Sequence, residues 1–166
     1  MVYSLGAVFG VVAIILGVTW RSHSQVMPQV DYSGAVDQAV SAQAFPILVP
    51  SPLPAGYVAT SARFEPETYG ATGDVRWYLG FTTKSNEFVS LWQSTARQGA
   101  IMAAASNHGD CSQKETIDGV EWTRCEKAKP LARVLARNAN GVTTVIAGTA
   151  SFDDLVAFSR TLKVAQ

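Results

Sequence analysis

Residues 76–94 read RWYLGFTTKSNEFVSLWQS. Two runs of alternating character, Arg76–Thr83 and Phe88–Ser94, flank the polar triplet Lys84-Ser85-Asn86. Alternation with period two is the pattern of a half-buried strand, and a short polar break between two such runs predicts a hairpin. Pairing Thr83 with Glu87 around the triplet sets Phe81 against Val89, Leu79 against Leu91 and Trp77 against Gln93. The same register places Tyr78 beside Trp92 and Thr82 beside Phe88 on the opposite face. Side chains alternate strictly, so one register fixes both faces together.

Downstream, Arg97–Asn107 contains Ile101, Met102 and an alanine run, which predicts a helix. Two further hairpins are expected. Gln113–Ile117 and Val120–Cys125 flank Asp118-Gly119, and Ala132–Asn138 and Val142–Ala147 flank Asn140-Gly141. Such dipeptides supply the positive φ that tight hairpin turns need. The second strand of the latter, VTTVIA, is rich in β-branched residues. Ser151 opens a last helix, with Asp154 in the acidic position of a capping box. Asp153 and Asp154 suit its N-terminal end, and Arg160 and Lys163 its C-terminal end. Phe152, Leu155, Phe158 and Leu162 form its apolar stripe.

Upstream, Tyr57–Phe64 is a further strand. The segment FPILVPSPLPAGY carries Pro46, Pro50, Pro52 and Pro54. Proline removes donors and fixes φ, so an extended edge segment or turn is expected there. Ser33–Ala44 places Val36, Ala39, Val40 and Gln43 at helical spacing, the mark of a short amphipathic helix.

The first twenty residues carry no charged side chain. Val2–Trp20 would rise about 28 Å as a helix, close to the ~30 Å hydrocarbon core of a bilayer. Tyr3 and Trp20 sit where interfacial rings belong. A cleaved signal peptide would show a basic start and a shorter apolar region. A transmembrane anchor over residues 1–21 is therefore expected. Gly6, Gly10, Ala13 and Gly17 share one face of it and form a candidate interface for helix-mediated homodimerisation. Residues 22–44 would hold a linker and the short helix, and residues 45–166 the domain. The fold class expected is α+β: an N-terminal transmembrane helix, then one mainly antiparallel sheet of about seven strands with packed helices.

The chain has 166 residues, with 13 Lys+Arg against 13 Asp+Glu. A net charge of zero argues against a nucleic-acid partner. Hydrophobic residues make up 48% of the chain, which excludes a disordered protein.

Several ordered blocks resemble one family. They are Phe45-Pro46 with Pro52-Leu53-Pro54-Ala55-Gly56-Tyr57, then Thr60–Phe64, Trp77–Phe81 and Leu91–Ser94. Asp118–Trp122 and Gly148–Ser151 complete the set. In this order they resemble the actinobacterial domain of unknown function 4245, a family of single-pass membrane proteins. The family's usual residue at position 57 is Trp, and this chain has Tyr. The resemblance implies a domain anchored at the cell membrane and held outside the cytoplasm. It brings no catalytic residues. Arg21 alone, by the positive-inside rule, would place the domain on the cytoplasmic side.

The chemistry-bearing residues are few. Cys111 and Cys125 are a candidate disulfide in an oxidising compartment. A two-residue loop would set Cys125 against Ser112, whereas a three-residue loop of Ile117, Asp118 and Gly119 sets Cys111 against Cys125. The latter also opposes Glu115 to Glu121, a modest penalty. His108, Asp110 and Cys111 lack the spacing of known zinc sites. His108 is the one histidine after the linker, and no nucleophile elbow, P-loop or metalloprotease motif accompanies it. No cofactor is expected.

Tyr78, Phe88 and Trp92 form an aromatic face, expected as core beneath a helix. Left open, it would be a candidate ligand or partner groove. The expected function is non-catalytic protein binding or scaffolding at the cell envelope. A lipid or glycolipid binder using the aromatic face is one alternative. An envelope hydrolase or metal-dependent enzyme using His108 is another.

Overall fold

A computed structural model describes residues 29–69 and 72–166. Its elements in chain order are helix α1 (Ser33–Ser41) and strands β1 (Leu48–Pro50), β2 (Val58–Glu65), β3 (Arg76–Thr82) and β4 (Phe88–Ser94). Helix α2 (Gln98–Ala105) follows, then β5 (Asp110–Ile117), β6 (Val120–Ala128), β7 (Leu131–Ala139) and β8 (Val142–Gly148). Helix α3 (Phe152–Arg160) and strand β9 (Leu162–Val164) close the chain.

Seven strands form one antiparallel sheet in the order β2-β3-β4-β8-β7-β6-β5, and β1 pairs with β9 in a second, two-stranded sheet. The large sheet joins two meanders, β2–β4 and β5–β8, through the antiparallel pairing of β4 with β8.

The expected fold class needs one correction. Among the described residues no helix is long and apolar enough to cross a membrane. The longest helices, α1 and α3, have nine residues each. They rise only about 14 Å, less than half a hydrocarbon core. The fold is therefore an α+β domain built on a mainly antiparallel sheet, with no transmembrane helix in it. The segment 1–21 expected to form one, with Gly6, Gly10, Ala13 and Gly17, lies outside the described residues.

The register of the central hairpin is the one its alternation predicts. Trp77 pairs with Gln93, Tyr78 with Trp92, Leu79 with Leu91, Phe81 with Val89 and Thr82 with Phe88. The Thr83 N–H donates to the Glu87 carbonyl at 2.9 Å and closes the loop. Trp77, Leu79, Phe81, Val89 and Leu91 are all at most 1% exposed. They face a core shared with α1, α3, Ile47, Leu135 and Ile146. Helix α1 buries Ala39 in that core, so it belongs to the body of the domain.

The proline-rich segment forms a short edge strand and then a turn, in line with expectation. Its strand β1 is held over the core by polar groups of the sheet. The Trp77 indole N–H donates to the Leu48 carbonyl at 3.0 Å. The Gln93 amide accepts from Leu48 N–H at 2.7 Å and donates to the Pro46 carbonyl at 3.1 Å.

Ser151 caps α3 by accepting the Asp154 N–H at 3.1 Å, and Phe152, Leu155 and Phe158 bury its stripe. Leu162 and Lys163 are not helical, contrary to expectation. The helix stops at Arg160, and Leu162 opens β9 opposite Pro50. Long-range pairing with β1 overrides the helical spacing of Leu162.

Candidate functional site

The second face of the large sheet is covered only in part. Helix α2 lies over β7 and β8. It buries Ile101 against Val134, Ala136, Val145, Ala147 and Cys125. Eight residues make a helix about 12 Å long, too short to cover seven strands spaced ~4.8 Å apart. Among the described residues, the β2–β3–β4 end of this face has only the edge of α2, at Ile101, beside it.

Tyr78 and Trp92 stand there as cross-strand partners. Their rings meet edge to face at 5.1 Å and 88°, a favourable arrangement of ring quadrupoles. Both are half-buried. The Trp92 indole N–H donates to Ser90 Oγ at 2.8 Å, and the Ser90 hydroxyl donates to the Ala147 carbonyl at 2.9 Å. This chain fixes the indole against the edge of α2. Phe88 lies on the same face, 38% exposed, at the far end of β4. The three aromatics thus share one face. The cover expected above them extends only to the Trp92 side.

Three cavities border Trp92. One of about 410 Å³ is lined by Ser61, Arg63, Glu65, Arg76 and Tyr78. A second, of about 480 Å³, lies between Asp74, Arg97 and Ala100. A third, of about 190 Å³, reaches Phe88 and Leu131.

The polar rim of the first cavity comes from a bulge. Ala59 pairs with Phe81, but Ser61 pairs with Gly80, so β2 carries one extra residue there. An extra residue reverses which side chains face which way. Ser61, Arg63 and Glu65 consequently join Tyr78 on the open face, while Ala62 and Phe64 turn to the core. Without the bulge Ser61 would face the core beside Leu79. The sequence does not mark this rim, because alternation alone does not reveal a single inserted residue.

Charge at the rim is balanced. Glu65 reaches Arg63 at 3.7 Å and Arg76 at 3.8 Å, and Asp74 reaches Arg76 at 3.8 Å. Burial pushes the Tyr78 phenol above its ordinary pKa of 10.0, while Ser61 and Arg63 pull it back in part. Gly80 makes room for this cluster. A Cβ at position 80 would collide with Ser61 Oγ and sit 3.0 Å from the Tyr78 hydroxyl.

The disulfide closes the other end of the same face. Cys111 and Cys125 are bonded, by a route that neither loop length alone predicts. The turn is the two-residue one, with Ile117 opposite Val120 and Asp118 and Gly119 both at positive φ. Glu115 therefore faces Trp122, and Thr116 faces Glu121. A bulge follows, since Asp110 pairs with Glu126 but Gln113 with Arg124. Cys111 and Ser112 together oppose Cys125, and the inserted residue swings Cys111 onto its partner. The expected clash of Glu115 with Glu121 does not arise. Glu115 pairs with Arg124 at 3.3 Å and Glu121 with Lys114 at 2.9 Å.

His108 is exposed in the turn after α2, with φ at 59°. Among the described residues, no group of three or more His, Cys, Asp or Glu side chains is placed to hold a metal. Both thiols are engaged in the disulfide. The structure does not bring His108 together with Tyr78, Phe88 or Trp92.

The family of proteins of unknown function designated DUF4245 matches residues 1–162, and the chain belongs to it. No curated protein matches the chain.

Proposed function

We propose that this member of the DUF4245 family is a non-catalytic protein-binding or scaffolding domain that works outside the cytoplasm, at the cell envelope. The observation that carries it is the half-covered sheet face, where Tyr78 and Trp92 stand between an ion-paired rim and the edge of α2. Tyr, Trp and Arg are the side chains on which protein interfaces concentrate their binding energy. They offer large rigid apolar area with a polar tip.

The rim of Arg63, Glu65 and Arg76 favours a polypeptide over an acyl chain, because both signs of charge would be met by a peptide's own side chains. Strand β2 ends the sheet beside this cleft, so a partner segment has a backbone edge next to the aromatic pair. The Cys111–Cys125 disulfide supports an oxidising compartment. The charge-free run 2–20 supports association with the membrane. The exposed position of His108, with no serine or acid hydrogen-bonded to its ring among the described residues, lends nothing to a hydrolase.

A photo-crosslinking residue at Arg63, whose side chain is 71% exposed, tests this in native envelopes. The expected result is a discrete protein adduct that Trp92→Ala abolishes in a folded domain. Lipid adducts alone, or a protein adduct indifferent to Trp92→Ala, would contradict it.

A further inference from the structure

Arg137 lies on β7, paired with Thr144 of β8, on the face opposite the Tyr78–Trp92 cleft. Five described arginines, at positions 63, 76, 124, 133 and 160, reach an aspartate or glutamate at 3.2–3.8 Å. Arg97 and Arg137 do not. Arg97 is exposed, but Arg137 is half-buried. Its guanidinium carbon lies 4.9 Å from the centroid of the buried Trp122 ring, and its Nε is buried with no acceptor among the described residues. Arg124 makes a useful contrast. Its Nε also lacks an acceptor, yet its Nη1 is ion-paired with Glu115 at 3.3 Å.

Beside Arg137 lies a cavity of about 350 Å³. Phe45, Leu48, Val142 and Val164 supply its apolar wall, and no acidic residue among the described ones lines it. Thr144 also lines it, is 5% exposed, and its hydroxyl makes no hydrogen bond among the described residues. The wall is fixed rather than collapsible, because the Gln93 amide clamps Pro46 and Leu48 from both of its ends. The volume falls at the small end of the roughly 300–1,000 Å³ range of ligand sites.

We infer that this cavity binds a carboxylate carried on a short apolar group. A half-buried guanidinium with no acidic neighbour favours an anionic partner, and a carboxylate is the group that meets its fork with two parallel hydrogen bonds. Trp122 holds the guanidinium from behind by a cation–π contact. Thr144 supplies a second donor, and the apolar wall takes the aliphatic part. A free carboxylic acid and the C-terminal residue of a peptide share this chemistry.

Protein-observed NMR of the folded domain tests the site, with hexanoate as probe and hexan-1-ol as its uncharged counterpart. Hexanoate should produce saturable shifts at the Arg137 Nε–H and the Trp122 indole N–H, and hexan-1-ol should produce none. Arg137→Gln should weaken hexanoate by about tenfold or more, the loss of one charge-assisted pair. Arg97→Gln should leave it unchanged. Thr144→Val, close in shape, should weaken binding severalfold and covers the case in which Arg137→Gln fails to fold. An N-acetylated dipeptide acid binding more tightly than hexanoate, and losing its binding on C-terminal amidation, would identify the peptide terminus as the source. The reverse order would identify a free acid. Equal shifts with hexan-1-ol, no saturable shift at millimolar hexanoate, or undiminished binding in folded Arg137→Gln would overturn the inference.

Discussion

One sheet face in this domain is divided into a sealed half and an open half, and the two spend the same kinds of residue differently. In the sealed half, α2 and the Cys111–Cys125 disulfide close over Val134, Ala136, Val145 and Ala147. Its side chains are small and apolar, and burial uses them up. In the open half, Tyr78 and Trp92 are each half-buried, and arginines and acids ring them. A bulge shapes each half: one turns Ser61, Arg63 and Glu65 outward, and the other turns Cys111 to its partner. Both bulges sit on terminal strands of the sheet, where an inserted residue disrupts only one ladder. The central strands hold the core in strict register, and the terminal strands carry the features specific to this face.

The largest expected effect lies in the sealed half. Ile101→Ala should cost about 2–5 kcal/mol in chemical denaturation, the range for truncating a buried aliphatic side chain. Ile101 is 6% exposed and borders the cavities on either side of Trp92. A loss below ~1 kcal/mol would mean that α2 does not seal this half. Next comes the disulfide. Replacing both cysteines by serine should cost about 2–4 kcal/mol, as expected for a closed loop of this length. No change in the unfolding midpoint under reductant would remove the disulfide as a staple of the sealed half.

The open half should respond more mildly. Gly80→Ala should cost about 1–3 kcal/mol, the usual range for overpacking. It should also shift the Tyr78 and Ser61 resonances, because the new methyl intrudes on both side chains. The smallest effect concerns pH. The Tyr78 phenol is held neutral by burial, with its pKa raised above the ordinary 10.0. Its contribution is constant below that ordinary value. Stability then falls as pH rises through the folded-state pKa, because the unfolded chain loses the proton first. Tyr32 and Tyr57 are raised for the same leading reason and add to the decline. Tyr78→Phe should remove part of the alkaline loss and leave the pH dependence flat near neutrality, which denaturation curves from neutral to alkaline pH would check.

The same division explains what was legible in the sequence. Alternation along Arg76–Ser94 is unbroken, so every pair of the β3–β4 hairpin follows from it. Asp118-Gly119 and Asn140-Gly141 mark their turns because few residue types tolerate positive φ. The Ser151 cap reads directly because hydroxyl and carboxylate spacing is local. The bulges do not read, since one inserted residue leaves no compositional trace. Strand β9 does not read either. Its three residues pair only because β1, more than a hundred positions earlier, lies beside them. Tyr78 and Trp92 were legible as neighbours, but their partial exposure depended on the reach of α2. Arg137 was invisible as a site, because what sets it apart is the absence of a nearby acid in three dimensions.

Hydroxyl-radical footprinting with residue-level mass spectrometry tests the central claim most directly, because it compares Trp92 with Trp77 inside one molecule. Trp77 is 1% exposed, whereas Trp92 is half-buried at the open cleft. Trp92 and Tyr78 should oxidise in the purified domain while Trp77 does not. Both should become protected when the domain sits in native envelopes. Trp92 as inert as Trp77 in the purified domain, or equally reactive with and without the envelope, would contradict it.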